Sequence, residues 1–292
     1  MAKEPAVRAR VQLRMLLDGY EGSGKTMTAM KLLRYLIGDK PMAVIDTERN
    51  RALLYAPLPG EAADAEKGTF AFWHYPVADG NPKSYKDAIE EALSDGAQGI
   101  IIDSITHEWD GENGILEQKT KLDQQGRGNS YTNWSTMTAK HNEWLNFILN
   151  LPVPLIATGR VHQDHVIEEE GGKRIVRKAG LNLIQRDTTG YEFDFIGRME
   201  RGGVLTITKA PNLEQIQDKI FIKPGLEFAT FLNEWLGLGV EMPMNRNEFI
   251  RRMNTLGYTT NAEIGAFTKQ HEDITGPDRY NQLLEIAERG VA

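Results

Sequence analysis

Apolar and polar positions change their spacing from block to block along the first half of the chain, and each block predicts one element. Residues 11–18 alternate between apolar and polar side chains and end fully apolar, which predicts a strand entering a sheet. Residues 25–37 carry apolar side chains at helical spacing. Further blocks predict strands over 42–45, 70–77, 99–105 and 154–158, and helices over 84–93 and 134–149. Because strands alternate with helices, the pattern favours an α/β fold with a mainly parallel central sheet flanked by helices.

The pattern changes after residue 160. The predicted elements there are a hairpin over 165–170 and 173–178, strands over 191–199 and 204–209, and a helix over 227–236. The pair Gly171-Gly172 is typical of a hairpin turn. Residues 237–243 are typical of a linker, and three short helical segments follow it. We therefore predict a core over residues 1–237 and a small C-terminal helical appendage over 238–292.

Composition narrows the class of protein. The chain has 292 residues, of which 40% are hydrophobic and 26% are charged, as in globular proteins. No apolar run is long enough to cross a membrane, and no signal region follows the charged N-terminus. The absence of cysteine excludes disulfides and thiolate metal sites, so a cytoplasmic location is expected. The net charge of −7 argues weakly against a generally basic nucleic-acid binder, although a local face could still be basic.

The most specific motif lies between the first strand and the first helix. Residues 19–26 fit the phosphate-binding pattern G-x-x-x-x-G-K-[ST]. The glycines let backbone N–H groups approach phosphate oxygens at the positive end of the helix. Lys25 is expected to neutralise the β- and γ-phosphates of ATP, and Thr26 to ligate Mg²⁺. The expected nucleotide-binding residues are Gly19, Glu21, Gly22, Ser23, Gly24, Lys25, Thr26 and Met27.

Two carboxylates at strand ends complete the expected chemistry. Asp103 ends the isoleucine-rich strand and is the candidate that orients the Mg²⁺ ion. Glu48 follows the strand after the P-loop helix, where a carboxylate can polarise the water that attacks the γ-phosphate. Taken alone, each is also typical of a solvated charge at a strand end.

These motifs carry a family resemblance. The segment 45–56 resembles the RecA segment that places the catalytic glutamate, and 101–104 resembles its Walker B strand. The chain looks most like the short phage-encoded RecA/RadA relatives used in recombination and single-strand annealing, over roughly residues 10–236. The resemblance implies an Mg²⁺-dependent ATPase in which Glu48 activates water. It also implies a homo-oligomer, ring or filament, that binds single-stranded DNA and completes each site with a neighbouring subunit.

The resemblance adds candidates for sensing and for action between subunits. Thr158 and Arg160 follow the strand where the RecA fold keeps a polar residue that senses the γ-phosphate; RecA has Gln there, so this chain departs from it. Lys209 ends a strand similar to one whose lysines reach the neighbouring subunit's nucleotide in RecA. Arg198 and Arg201 are competing candidates for that role.

Two segments are candidates for DNA contact. Residues 163–191 correspond to a mobile DNA-binding loop of RecA and include an acid-free stretch, 173–186, with the cations Lys173, Arg174, Arg177, Lys178 and Arg186. A solvated hairpin with cross-strand ion pairs, or a contact with the adjacent subunit, would explain them equally well. The polar stretch 118–134 interleaves cations with aromatics, which suits single-strand stacking. Its members are Lys119, Lys121, Arg127, Tyr131 and Trp134.

Two other functions stay open on the sequence. One is an AAA-type or packaging motor that acts on protein or duplex DNA. The other is a nucleotide-gated assembly module with negligible turnover. The C-terminal helices could regulate the core, recruit a single-strand-binding protein or cap the core, and the histidines show no metal-ligand spacing.

Overall fold

The computed structural model describes residues 8–126, 128–170, 173–238, 246–275 and 279–291. Side chains are outside this description at 164–179, 247, 248 and 291. By their contacts, residues 12–233 form one compact unit, and the described parts of 1–11 and 234–292 form a second.

A single sheet organises the first unit. Its nine described strands are β1 (Arg14–Gly19), β2 (Met42–Asp46), β3 (Trp73–Pro76), β4 (Gly99–Asp103), β5 (Leu155–Glu170), β6 (Lys173–Leu183), β7 (Phe195–Glu200), β8 (Val204–Lys209) and β9 (Ile220–Ile222). Their order is β3-β2-β4-β5-β1-β7-β8-β9, with β6 paired to β5. The first six strands of this order are parallel, whereas β8, β9 and β6 pair antiparallel.

Helices connect these strands. Those of the first unit are α1 (Lys25–Ile37), α2 (Pro82–Ser94), α3 (Thr106–Asp110), α4 (Ile115–Gln124), α5 (Ser130–Leu149), α6 (Thr189–Glu192) and most of α7 (Leu226–Gly237), with a 3-10 turn over Arg51–Tyr55. No described helix is long and apolar enough to cross a membrane.

Burial explains why the central strands are apolar throughout. Every residue of β1, β2 and β4 is buried, because helices cover both faces of a parallel sheet. The parallel register places Asp46 beside Asp103, and Leu17 beside Thr158. The carboxyl ends of β2, β4 and β1 therefore meet Thr158 of β5 at one edge of the sheet, where the P-loop begins.

The predicted fold class is confirmed: a mainly parallel α/β sheet with flanking helices, followed by C-terminal helices. Some element predictions were wrong. The helix predicted over 134–149 starts four residues earlier, at Ser130. The polar stretch 118–134 contains most of α4, which was not predicted because its polar side chains are the exposed face of the helix. The strand predicted over 191–199 starts only at Phe195, after the helical turn α6. The predicted hairpin is confirmed, but β5 runs into it without a break.

The second unit has its own apolar core. It contains α8 (Arg246–Thr255), α9 (Asn261–Gln270) and α10 (Arg279–Val291). The side chain of Thr260 caps α9 and Glu263 reciprocates, which fixes where that helix starts. Its buried core residues are Phe249, Met253, Ile264, Leu283, Leu284 and Ala287. The domain boundary after residue 237 stays a prediction.

Candidate functional site

The P-loop connects β1 to α1 at the carboxyl edge of the sheet. A Cβ atom on Gly19 would lie 2.2 Å from the carbonyl oxygen of Met199, so only glycine fits there. Gly24 caps α1 with φ 91°, a left-handed conformation that also favours glycine. Ser23 is buried, and its Oγ has no hydrogen-bond partner among the described residues. An orphaned hydroxyl within a glycine-rich loop at a helix N-terminus fits a site for phosphate oxygens.

Lys25 folds back over this loop. Its Nζ donates to the carbonyl oxygens of Gly19 and Tyr20, at 2.8 Å each. Burial lowers the pKa of Lys25, and the nearby charges of Asp103 and Glu48 oppose that effect. The ammonium therefore lies within the electrostatic reach of both candidate carboxylates, as a phosphate-neutralising cation must.

Asp103 is the buried centre of the site. Its Oδ2 accepts a hydrogen bond from Thr26 Oγ1 at 2.7 Å, and its Oδ1 accepts one from Thr158 Oγ1 at 2.5 Å. Burial raises the pKa of Asp103, although both hydrogen bonds act to lower it. A hydroxyl and a carboxylate oxygen side by side are ligands that fit Mg²⁺, which takes one or two carboxylates and completes its shell with phosphates and water.

The structure thus brings Thr26 and Asp103 together, and it gives Thr158 a contact with Asp103. Thr158 is fully buried and orients the carboxylate. No group of three or more histidine, cysteine, aspartate or glutamate side chains is placed to hold a metal in the part of the chain that the structure describes. A site that relies on one carboxylate, one hydroxyl and the nucleotide's own phosphates needs no such group.

Glu48 is presented by a turn that Asp46 builds. The carboxylate of Asp46 is buried and accepts from the backbone N–H of Glu48 at 2.7 Å and of Ala52 at 3.0 Å. Arg49 and Asn50 take positive φ angles, 57° and 65°, between those two anchors. This role of Asp46 was not predicted from the sequence. The sequence signal for such a turn is an aspartate one or two residues before it.

The carboxylate of Glu48 faces β4 and β5. Its Oε1 accepts from Arg160 Nε at 3.1 Å and from Ser104 Oγ at 3.3 Å, and its Oε2 is bonded to a second nitrogen of Arg160. Burial works to raise the pKa of Glu48, but the hydrogen bonds and charge of Arg160 outweigh it, and the net shift is downward. The glutamate therefore stays ionised at neutral pH.

A histidine that the sequence analysis did not single out lies beside this pair. His107 Nε2 is 4.0 Å from Glu48 Oε1, and its Nδ1 is 2.7 Å from Thr47 Oγ1. Burial lowers the pKa of His107, against the attraction of Glu48. Thr47 also receives the backbone N–H of Ser104 at 2.9 Å, so one threonine ties the turn after β2 to the end of β4. No spacing signal in the sequence identifies His107.

The three candidates for action between subunits lie in different places. Arg198 forms a bidentate pair with the buried Asp18, at 2.9 and 2.7 Å, which holds it inside its own chain. Arg201 is exposed on the turn from β7 to β8, next to the P-loop, since a Cβ on Gly24 would lie 4.0 Å from Gly203. Lys209 pairs with Ile196, at the opposite end of β7 from the P-loop.

The remaining P-loop candidates differ in exposure. Glu21 and Gly22 are exposed at the tip of the loop. Met27 is half-buried and lies under Gly68, where an added Cβ would be 2.6 Å from its methyl group.

The DNA-contact candidates are only partly described. The backbones of Lys173, Arg174, Arg177 and Lys178 lie in β6, opposite the β5 segment that carries three glutamates, but their side chains are outside the described residues, as is all of Arg127. Arg186 donates to Asn142 Oδ1 at 3.1 Å.

The cation-aromatic part of the stretch 118–134 is described. Lys119 Nζ lies 5.2 Å from the ring centroid of Trp134, and Trp134 stacks on Trp109 at 6.1 Å. Tyr131 is 84% exposed on the same helix as Trp134. Tyr131 and Trp134, both on α5, are exposed to solvent.

A buried polar cluster connects α3, α5 and the segment after β6. His141 Nδ1 lies 3.2 Å from both carboxylate oxygens of Glu108, and Thr189 Oγ1 lies 3.3 Å from His141 Nε2. Gln185 Nε2 donates to Glu108 and to the carbonyl of Ile105, at 3.0 Å each. All these side chains are buried. The cluster fixes the end of the hairpin to the residues that follow Asp103.

This chain is similar to a known family and to a solved structure. Among solved structures, the "Crystal structure of the RadB recombinase" is similar at 18% identity, covering 71% of this chain and 84% of that chain, with a TM-score of 0.39. No curated protein matches the sequence. Residues 12–220, more than half of the chain and including the P-loop, Glu48 and Asp103, match the family AAA_24, described as "AAA domain". This chain therefore belongs to that AAA domain family.

Proposed function

We propose that the chain is a RecA-like ATPase that hydrolyses ATP with Mg²⁺. The observation that carries the proposal is the convergence of Thr26, Asp103 and Glu48 at the end of the sheet where the P-loop begins. Thr26 Oγ1 is bonded to Asp103 at 2.7 Å, and Ser104, the next residue, is 3.3 Å from Glu48. A phosphate loop, a metal-orienting pair and an ionised glutamate are the parts that phosphoryl transfer to water requires.

Each residue has one task in this proposal. Lys25 and the loop N–H groups bind the β- and γ-phosphates, and Thr26 with Asp103 would hold Mg²⁺, which supplies neutralisation of phosphate charge when bound. Glu48 accepts a proton from the attacking water. Arg160 donates to both oxygens of Glu48 and lowers the pKa of the carboxyl group, so departure of the guanidinium would leave a stronger base. A γ-phosphate is the competing anion that could draw it away.

The test separates binding from turnover. We expect Glu48→Gln to lower the ATPase rate about 100-fold or more while nucleotide binding is kept, because the amide cannot accept the proton. Lys25→Ala should abolish nucleotide binding. Glu61→Gln, an exposed glutamate, is the matched control and should behave like the parent chain. An unchanged rate in Glu48→Gln, together with loss of binding in Lys25→Ala, would contradict the assignment of Glu48 to hydrolysis. Nucleotide binding with a negligible ATPase rate in the parent chain would instead favour the nucleotide-gated assembly module.

We propose further that the active form is a homo-oligomer, a ring or filament, in which a cation from one subunit serves the site of the next. The position of Lys209 supports this, because it lies at the opposite end of the sheet from its own P-loop and cannot serve its own site. Arg201, exposed beside the P-loop, is the alternative. The paired Arg198 is the weakest of the three.

Mixing two inactive variants tests action between subunits. A Lys25→Ala chain offers an intact Lys209 and a Lys209→Met chain offers an intact P-loop, so mixed oligomers should regain part of the ATPase rate. Lys209 also donates to the carbonyls of Tyr191 and Phe193 at 2.6 Å, so a melting curve must show that Lys209→Met is folded. A mixture no more active than the sum of its components argues against Lys209.

We propose that the ATPase controls the binding of this protein to single-stranded DNA. This activity would serve recombination or strand annealing in the cytoplasm of a phage-infected host. The exposed aromatic side chains of Tyr131 and Trp134 support it, since aromatic faces suit the stacking of unpaired bases. The cations Lys173, Arg174, Arg177, Lys178 and Arg186 are proposed to contact phosphates. A single-strand-binding protein is a further proposed partner.

Fluorescence anisotropy tests the proposed DNA binding. A labelled oligonucleotide is titrated with the protein, with and without ATP, across a salt series. Trp134→Ala should weaken binding by about 1–3 kcal/mol per base lost from the stack. Reversal of the four β6 cations should weaken binding and flatten its salt slope. An AAA-type or packaging motor predicts that duplex DNA or a protein, and not single strands, stimulates the ATPase.

A further inference from the structure

The C-terminal helices line a partly open cavity that has no part in the proposed ATPase chemistry. It has a volume of about 170 Å³ and lies between the starts of α8, α9 and α10. Three of its walls are apolar: Phe249 and Ile264 belong to the buried core of this unit, and Ile250 packs against that core. By volume alone, a space of roughly 150 Å³ can hold a benzene ring. The space therefore fits one large apolar side chain.

Two guanidinium groups line the same cavity. Arg246 is exposed, whereas Arg279 is half-buried and its Nε is inaccessible to solvent without a hydrogen-bond partner among the described residues. The guanidinium of Arg279 lies 6.0 Å from the ring centroid of Tyr280, which also lines the cavity. A buried donor without an acceptor costs about 1–3 kcal/mol. Binding of a ligand that offers an acceptor to the guanidinium of Arg279 would therefore be favourable.

Charge and shape together define the occupant. The described lining residues include no aspartate or glutamate, and the two other polar side chains, Asn261 and Thr268, are neutral. The cavity thus combines cationic donors with an apolar wall. The carboxyl terminus of a peptide presents both groups together, because the free carboxylate is joined to the Cα that carries the last side chain.

We propose that this cavity binds the carboxyl terminus of a partner protein whose last residue is large and apolar. Arg279, with Arg246, receives the terminal carboxylate, and Phe249, Ile250 and Ile264 receive the side chain. The site is separate from the ATPase chemistry and makes the C-terminal helices a recruitment surface. A bidentate guanidinium–carboxylate contact is among the stronger hydrogen-bonding arrangements in proteins.

Peptide binding to the full chain tests the proposal. The probe is a fluorescein-labelled glycine-serine peptide that ends in phenylalanine with a free carboxylate, followed by fluorescence anisotropy. The same peptide with a terminal amide should bind on the order of tenfold more weakly, because the charged acceptor is lost. Arg279→Gln should weaken binding of the free acid to a similar extent. Arg289→Gln, on the same helix and 81% exposed, is the matched control and should leave binding unchanged.

A second variant guards against misfolding of Arg279→Gln. Gly265 lines the cavity, and a Cβ there would meet nothing within 4 Å, so Gly265→Leu fills the cavity and keeps both arginines. Leucine also raises helix propensity in α9, so this chain should fold. It should lose peptide binding. Equal binding of amide and free acid, full binding by Gly265→Leu, or displacement of the peptide by an oligonucleotide or by inorganic phosphate alone would overturn the proposal.

Discussion

At the residue scale, the buried charge of Asp103 is unfavourable for folding but favourable for metal binding. The carboxylate is 4% exposed, and burial raises its pKa against the hydrogen bonds of Thr26 and Thr158. A buried negative charge without a cation is unfavourable for folding, yet it makes a strong ligand for a divalent ion. The residue therefore stabilises the metal complex more than it stabilises the protein alone.

Replacement of Asp103 by a neutral residue should therefore raise the melting temperature of the metal-free chain. We expect Asp103→Asn to melt at a higher temperature than the parent chain in EDTA at pH 7, because the buried charge is gone. About 1 kcal/mol shifts Tm by roughly 2–4 °C in a chain of this size. The same variant should lose most ATPase activity. Asp187→Asn, at an exposed aspartate, should change neither quantity.

The pH dependence of that difference has a defined sign. Because the pKa of Asp103 is raised in the folded chain, the folded state binds more protons than the unfolded state at pH values just above the ordinary aspartate pKa. The stability of the folded chain therefore falls as the pH rises through this interval. On acidification the carboxylate becomes neutral, so the melting temperatures of the parent chain and Asp103→Asn should converge. A difference that stays constant with pH would contradict this origin of the effect.

Thr158 provides a second test at this scale. Its buried hydroxyl donates to Asp103 Oδ1 at 2.5 Å, which orients the carboxylate beneath Thr26. Thr158→Val keeps the shape and removes the donor, so the Mg²⁺ concentration for half-maximal ATPase rate should rise roughly tenfold. Thr208→Val removes an exposed hydroxyl on β8 and should leave the Mg²⁺ titration as it was. If Thr158→Val reaches its half-maximal rate at the same Mg²⁺ concentration as the parent chain, Thr158 has no role in metal binding.

At the element scale, one arginine joins β1 to the segment after α5. Arg14 is 7% exposed and donates to the carbonyls of Leu149, Val153 and Leu13, at 2.7, 2.9 and 2.8 Å, and also to that of Leu151. Burial lowers the pKa of Arg14 to about 10, and Asp194 opposes that effect. Carbonyls at the end of a helix have no partners within the helix, so a cation there is favourable.

Loss of this arginine should destabilise the core without touching the site. Arg14→Met leaves buried carbonyls without donors, and we expect the free energy of unfolding to fall by about 2–4 kcal/mol. Urea denaturation measures this change. Arg201→Met, at an exposed arginine, should lie within about 0.5 kcal/mol of the parent chain. A similarly small effect for Arg14→Met would show that water replaces the donor.

The strand β5 links the site to the hairpin. It carries Thr158 and Arg160 at the nucleotide edge and continues to Glu170. A chain in which a Gly-Gly turn replaces residues 164–179 keeps the pairing of Gln163 with Leu181, so it should fold and hydrolyse ATP at the basal rate. It should lose stimulation by single-stranded DNA. Retained stimulation, measured by phosphate release, would remove the hairpin from the DNA interface.

At the scale of the whole molecule, the described chain consists of two compact units with separate cores. The second unit includes described residues of the N-terminal segment: Arg8 donates to the carbonyl of Trp235 at 2.7 Å and lies 4.5 Å from its ring, and Arg10 donates to Gly237. The proposed core of residues 1–237 therefore keeps these contacts when the C-terminal helices are removed.

Truncation tests that proposal. A chain of residues 1–238 should melt cooperatively and bind ATP, because its sheet and apolar core lie within 12–233. It should also lose the peptide binding assigned to the C-terminal cavity. An insoluble or non-cooperative product would show that the core depends on the C-terminal helices.

The sequence predicted the parts of the site whose signals are local. The P-loop, the strand that ends in Asp103 and the helix α1 follow from residue types within short windows, and the structure has β4 and α1 at those positions. Elements were predicted less accurately in polar segments, where α4 was not predicted and α5 starts four residues before the predicted helix. The sequence did not predict that Arg160 pairs with Glu48, because 112 positions separate them.

The sequence by itself thus determined the fold class and the phosphate loop. Hydrophobic period and glycine position are local properties that act before any long-range contact forms. Only the tertiary structure decided which side chains meet at the edge of the sheet: Asp46 with the turn of Glu48, Thr158 with Asp103, and Asp18 with Arg198. The reason is physical, since the parallel register brings strand ends together from distant parts of the chain, and burial then sets the charge of each group there.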